Sequence, residues 1–161
     1  MNDNFSRSDA ISKALLPAWV VTGAIAISLM IYLLIAQLVG PELQSRFVLG
    51  EEQRIVLRTV FYVLAIITLP LTNLIRHIQL RLNQTMPGPT PAKQRYLVTV
   101  LVSMAMVETI GIYGFVMFLL GDELNTLYIL TLMSALGIYL YRPKVEEYES
   151  VLRALAGKGG D

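Results

Sequence analysis

One carboxyl group stands inside a long apolar stretch of this chain. Glu108 is the only charged residue between Tyr96 and Leu120. A charge at the centre of a bilayer costs about 2.5–3.5 kcal/mol on insertion scales, and apolar surroundings favour the neutral form of a carboxyl group. Thr109 adds a hydroxyl, and Tyr113 adds a phenol about one and a half helical turns later. These groups could bind a proton or a small cation.

A second interpretation of Glu108 is structural. Polar side chains hydrogen-bond between helices inside membranes, so the carboxyl group could be a protonated packing residue. Four polar residues of the other apolar segments are its candidate partners: Asn73, Thr68, Thr72 and Ser134. Ion binding and packing both stay open on these residues.

The composition is typical of a membrane protein. Hydrophobic residues make up 55% of the chain and charged residues 16%, and the mean hydropathy is +0.58. A soluble domain of this size could not keep so much apolar surface from water. The net charge of +1 gives no field for nucleic acid, and the absence of cysteine with a single histidine argues against a metal site. We expect no cofactor.

Four apolar segments are long enough, or nearly so, to cross about 30 Å of hydrocarbon. They cover residues 17–39, 55–75, 96–120 and 124–141. Only a short polar turn, residues 121–123, separates the last two, which predicts an antiparallel helical hairpin. The prolines and glycine of residues 86–91 predict an extended loop. The fold class is therefore an all-α membrane protein, a bundle of four transmembrane helices forming a single integral membrane domain over residues 1–161.

The basic residues predict an orientation. Ten of the 13 lysines and arginines fall in the N-terminal tail, the middle connection and the C-terminal tail, whereas only Arg46, Arg54 and Arg58 fall on the other side. The positive-inside rule then places both termini in the cytoplasm, as in a bacterial inner-membrane protein.

Residues 143–156 follow the last apolar segment and have an apolar stripe at helical spacing. The stripe predicts a short cytoplasmic amphipathic helix, with Pro143 in its first turn. Such a helix could pack on the bundle or lie on the membrane surface, and docking of a partner protein is the alternative.

Small residues and an internal repeat bear on how the helices pack. Gly111 and Gly114 lie near Glu108 and would let another helix approach closely. Shifting the chain by 81 positions aligns Ser28 with Thr109 and Tyr32 with Tyr113. The alignment indicates two tandem hairpin repeats, or chance similarity between apolar helices. In this alignment Ile27 occupies the position of Glu108, so only one of the two repeats has the carboxyl group.

Residues 105–116, with the sequence AMVETIGIYGFV, resemble the carboxylate helix of the proteolipid c subunits of rotary F- and V-type ATPases. The resemblance covers about a tenth of the chain. It implies that Glu108 carries the ion, that Thr109 is a hydroxyl ligand and that Tyr113 orients the carboxyl group. We expect a proton or a sodium ion as the bound species, and an oligomer or other membrane subunits as partners.

Together these observations predict a small polytopic membrane protein that binds or relays a proton or small cation through Glu108, within an oligomer or a larger complex. The alternative is a structural or anchoring subunit in which Glu108 only packs. We do not expect an enzyme, because no second carboxylate and no nucleophile–base pair accompanies Glu108 at its depth. We expect membrane lipid to surround the four apolar segments.

Overall fold

The computed structural model describes residues 2–40, 42, 49–86 and 90–157. Every regular element in this part of the chain is an α-helix, which confirms the all-α fold. The helices are α1 (Asn2–Leu38), α2 (Glu51–Thr85), α3 (Ala92–Leu119), α4 (Leu124–Tyr141) and α5 (Val145–Ala156).

Four of these helices are long and apolar enough to cross a membrane, as in a multi-pass membrane protein. The candidate spans are Asp9–Leu38, Glu51–Thr85, Ala92–Leu119 and Leu124–Tyr141. Large apolar side chains cover their outward faces, and Met30 and Leu132 are 67% and 72% exposed. Lipid tails would cover such side chains, whereas water would not favour them.

The helices extend beyond the predicted segments at several ends. α1 includes the polar residues 2–13, and α2 continues through residues 76–85, which lie beyond the predicted apolar segment 55–75. Pro70 lies within α2 and does not end it, whereas Met86 is extended at φ −76° and ψ 125°, as a residue before proline prefers. The second predicted segment is therefore ten residues longer at its C-terminal end in the structure.

α4 coincides with the predicted segment 124–141. α5 begins at Val145, so Pro143 precedes the helix instead of lying in its first turn as predicted, because Lys144 is still extended at φ −119° and ψ 132°. Three further parts of the sequence interpretation lie outside the described residues. These are residues 87–89 of the proline-rich loop, the end of the C-terminal tail from residue 158, and most of the connection between α1 and α2, residues 41 and 43–48.

α3 is the central helix of the bundle. It packs against α1, α2, α4 and α5, while α1 and α2 pack on α3 and α4 rather than on each other. The turn between α3 and α4 requires Gly121, whose φ of 88° suits glycine. α3 and α4 thus form a packed hairpin, and the aligned first half, α1 and α2, does not pack in the same way.

Gly114 lies where α3 packs closely on α4. A Cβ atom there would lie 3.0 Å from Leu130 Cβ and 3.3 Å from the Leu127 backbone. Neither neighbour can rotate away, because both contacts are at or next to the α4 main chain.

Gly114→Ala should therefore lower the free energy of unfolding by about 1–3 kcal/mol, the usual cost of overpacking. Thermal unfolding of the purified protein in detergent measures the change. Gly23→Ala is the matched control, because nothing lies within 4 Å of a Cβ at Gly23. Equal unfolding temperatures for the two variants would contradict the packing argument.

Candidate functional site

The Glu108 carboxyl group lies between α3 and α1. Eleven residues separate it from Leu119 at the end of α3, a distance of about 16 Å along the helix axis. That depth is close to the middle of a hydrocarbon layer of about 30 Å. The Ser28 hydroxyl lies 2.5 Å from Glu108 Oε1, and the Tyr32 hydroxyl lies 3.3 Å from the same oxygen. The carboxyl group is half-buried.

The Ser28 hydroxyl has two acceptors within reach. Its Oγ lies 2.8 Å from the Ile25 carbonyl oxygen as well as 2.5 Å from Glu108 Oε1. A serine hydroxyl has one proton and two lone pairs, so it donates to one of these atoms at a time. The separation of 2.5 Å is in the range of charge-assisted bonds between oxygens and suits an ionised Glu108 that accepts from Ser28. The Ile25 carbonyl oxygen is a second acceptor for Ser28, so Ser28 can also accept from a protonated Glu108.

Packing between α1 and α3 holds these side chains together. Ser28 and Tyr32 are four residues apart, so both face α3. The Tyr32 ring stacks on Phe115 of α3, with 5.1 Å between the centroids. A Cβ atom at Gly111 would collide with the side chain of Leu29. Glycine at this position thus lets α1 approach α3 one turn from Glu108.

The structure does not bring Thr109 or Tyr113 to the carboxyl group. The Thr109 hydroxyl donates to the Ala105 carbonyl oxygen of its own helix at 2.9 Å. The Tyr113 ring stacks on Phe61 of α2, with 4.7 Å between the centroids. Thr109 is turned about 100° from Glu108 around the helix axis, and Tyr113 faces α2, so the hydroxyl groups beside Glu108 come from α1 instead.

Three of the four candidate packing partners of Glu108 donate to main-chain carbonyl oxygens, and the fourth is exposed. Thr68 and Thr72 donate to carbonyl oxygens one turn earlier in α2, at 2.7 Å each, and Asn73 is exposed. Ser134 of α4 donates to the Val107 carbonyl oxygen at 2.8 Å. Ser134 therefore joins α4 to α3 beside Glu108, but through the main chain.

Ser28 and Tyr32 are the site residues that the sequence interpretation did not select. Two signals were available for them. Their spacing of four places two hydroxyl groups on one face of an apolar helix. The shift of 81 positions also aligns them with Thr109 and Tyr113. The repeat identified the right residue types but did not indicate that α1 would pack beside Glu108.

No cation neutralises Glu108 within the part of the chain that the structure describes. Two arginines of α2 bind other carboxylates: Arg58 pairs with Asp122, and Arg76 pairs with Glu147. The described residues also include no group of three histidine, cysteine, aspartate or glutamate side chains that could hold a metal ion. Among the described residues, the site is a carboxyl group with two hydroxyl neighbours and no fixed counter-charge.

Comparisons of the chain with protein-family models, with curated proteins and with solved structures find no match.

Proposed function

We propose that this membrane protein binds and relays a proton through Glu108, with Ser28 as the residue that accommodates both protonation states. The observation that carries the proposal is the position of Ser28 Oγ, 2.5 Å from Glu108 Oε1 and 2.8 Å from the Ile25 carbonyl oxygen. In the ionised state, Ser28 donates to the carboxylate. In the protonated state, the carboxyl group donates to Ser28, and Ser28 donates to Ile25.

This exchange requires only that the Ser28 hydroxyl turn from Glu108 to the Ile25 carbonyl oxygen as the carboxyl group gains its proton. No heavy atom moves, so gain and loss of the proton do not disturb the packing of α1 on α3. The Tyr32 hydroxyl, at 3.3 Å, is beyond the usual length of a bond between oxygens and contributes a weaker donor. A small cation such as sodium could take the place of the proton, and protection of Glu108 from chemical labelling distinguishes the two.

The orientation and the assembly belong to the same proposal. The distribution of lysine and arginine supports cytoplasmic termini, as in a bacterial inner-membrane protein. The resemblance of residues 105–116 to the proteolipid c subunits supports function within an oligomer or a larger membrane complex. In this chain, however, α1 supplies the hydroxyl groups that the resemblance assigns to Thr109 and Tyr113.

The test is proton flux into liposomes that contain the purified protein, followed with a pH-sensitive dye under an imposed potential. The wild-type protein should conduct, and Glu108→Gln should abolish the flux because an amide cannot exchange the proton. Ser28→Ala should lower it about tenfold or more, since a hydrogen bond to a charged group contributes about 1.5–3 kcal/mol.

Ser12→Ala is the matched control for Ser28→Ala. It is the same substitution in the same helix, at an exposed position where the hydroxyl bonds only to the Asp9 carbonyl oxygen. A carboxyl-directed carbodiimide should label Glu108, and low pH should protect it. Protection by sodium at constant pH would identify a sodium site, and wild-type liposomes without flux would overturn the proposal.

The alternative is an anchoring subunit in which the bond between Ser28 and Glu108 only joins two helices. That bond does cross from α1 to α3, as interhelical polar contacts do. This function predicts that Glu108→Gln preserves every activity and assembly, because an amide still accepts from Ser28. Gly111→Val, which separates the helices, would then be the damaging change.

A further inference from the structure

A groove runs between α1 and α4 on the outer surface of the bundle. It encloses about 420 Å³ and extends on α1 from Trp19 to Met30 and on α4 from Thr131 to Arg142. Its walls are almost entirely apolar. Its lining includes none of Glu108, Ser28 and Tyr32, so its occupant is a question separate from the proton site.

The length of the groove matches one leaflet of a bilayer. Eleven residues separate its two ends on each helix, which gives about 16 Å at 1.5 Å per residue. Half of a hydrocarbon layer of about 30 Å is close to the same length. The end at Arg142 follows the last residue of α4, where the helix leaves the apolar layer. The other end, at Met30 and Thr131, is near mid-membrane.

The end of the groove at the membrane boundary has a positive charge. The Arg142 guanidinium lies 4.3 Å from the centre of the Tyr139 ring, and its Nη1 donates to the Tyr139 carbonyl oxygen at 2.9 Å. Within the described part of the chain, it has no acidic partner. Trp19 is at the same end and is 49% exposed, as an aromatic residue at the headgroup level would be.

We propose that this groove binds one phospholipid with an anionic headgroup. The headgroup phosphate pairs with Arg142, and one acyl chain lies along the groove toward Met30. Two features support this occupant. Arg142 lies at the headgroup level and has no acidic partner among the described residues, and the apolar groove is as long as one leaflet. Basic residues beside transmembrane helices recognise anionic lipid headgroups in this way.

Thr131 provides a way to exclude a different occupant. Its hydroxyl is buried at the deep end of the groove and has no hydrogen-bond partner in the described structure. An acyl chain offers no acceptor at that depth, so the proposed lipid makes no use of this hydroxyl. A ligand with a polar group at mid-membrane would use it.

The test uses the full chain, delipidated in a non-ionic detergent and titrated with dioleoylphosphatidylglycerol or dioleoylphosphatidylcholine, with retained lipid counted by native mass spectrometry. The wild-type protein should retain one phosphatidylglycerol more tightly than phosphatidylcholine. Arg142→Gln should weaken phosphatidylglycerol retention about fivefold, as expected for one basic residue at the membrane surface. Arg142→Lys should largely preserve it, and Ala135→Trp, which fills the groove, should abolish retention of both lipids.

Arg81→Gln is the matched control, because Arg81 is exposed on α2, away from the groove. It should retain lipid as the wild-type protein does, and so should Thr131→Val. Equal retention of the two lipids, or equal effects of Arg142→Gln and Arg81→Gln, would overturn the proposal. Loss of retention in Thr131→Val with none in Arg142→Gln would overturn it too, and would identify a ligand with a polar group at mid-membrane.

Discussion

Replacing Glu147 with methionine should lower the free energy of unfolding by about 3 kcal/mol, because the change leaves a buried guanidinium without its acidic partner. Arg76 Nη2 lies 2.6 Å from Glu147 Oε2, and the Arg76 side chain is only 5% exposed. Its remaining contacts are the Ser103 hydroxyl at 3.2 Å and the Arg142 carbonyl oxygen at 3.4 Å. Arginine cannot lose its proton in response, so the charge would stay buried.

The opposite change should cost less. Arg76→Met leaves Glu147, which is 19% exposed and keeps the Tyr96 hydroxyl at 3.1 Å and the Lys144 amine at 3.9 Å. We expect a loss of about 1–2 kcal/mol for this variant, below the usual cost of breaking a buried pair. The double variant should be close to Arg76→Met or better, since replacing both members of a buried pair with apolar residues is often neutral.

Thermal unfolding in detergent measures these three variants, and trypsin cleavage after Arg153 reports release of α5. Glu149→Met is the matched control, because Glu149 pairs with an Arg153 side chain that is 71% exposed. Such a pair contributes about 0.5 kcal/mol or less. A larger loss for Arg76→Met than for Glu147→Met would contradict the argument that the buried arginine determines the cost.

This ion pair also shows where the sequence interpretation failed. Arg76 lies just beyond the predicted apolar segment 55–75 and was counted with the basic residues of the middle connection, whereas α2 continues to Thr85 and directs Arg76 toward α5. The apolar pattern ends near residue 75, but a helix can continue where no proline or glycine ends it. Hydropathy therefore locates the part of a helix that lipid covers, and it does not locate the end of the helix.

The amphipathic stripe of residues 143–156 was more informative than the apolar pattern at the end of α2. α5 packs on α2 and α3, and Tyr148 and Val151 of the stripe are buried there. Burial raises the pKa of the Tyr148 phenol above its usual range. Periodicity predicted the helix and its apolar face. It could not choose between packing on the bundle and lying on the membrane, because both surfaces bury the same stripe.

The environment of Glu108 was predictable only in part. Its isolation in an apolar segment was evident from the sequence, and so were the small residues that admit a neighbouring helix. The identity of that helix was not, because apolar helices of similar length give no sequence signal for their order in a bundle. Asp122 and Glu147 pair with arginines at the two ends of the bundle, and Glu108, which lies between them, has no such pair among the residues that the structure describes.

Arg58→Met should be the most damaging change at the end of the bundle near the turn between α3 and α4. Arg58 Nε lies 2.9 Å from Asp122 Oδ2, its Nη2 donates to the other carboxylate oxygen, and the Asp122 side chain is fully buried. Without Arg58 a buried carboxylate loses the guanidinium that binds both of its oxygens, and we expect a loss of about 3 kcal/mol. Arg54, which donates to the Gly121 carbonyl oxygen at 2.6 Å, would still hold the main chain of the turn.

Asp122→Asn should cost less than Arg58→Met, about 1–2 kcal/mol, because the Arg58 side chain is 34% exposed and can extend its charge to water. Arg81→Met is the control, since it removes an exposed arginine from the same helix. Thermal unfolding in detergent again gives the comparison. The two ion pairs thus differ in which variant loses more stability. Here the acid is the more buried partner, so loss of the arginine has the larger effect, whereas at α5 loss of the acid has the larger effect. A larger loss of stability for Asp122→Asn than for Arg58→Met would contradict this argument, which holds that the burial of the remaining ion-pair partner determines the loss.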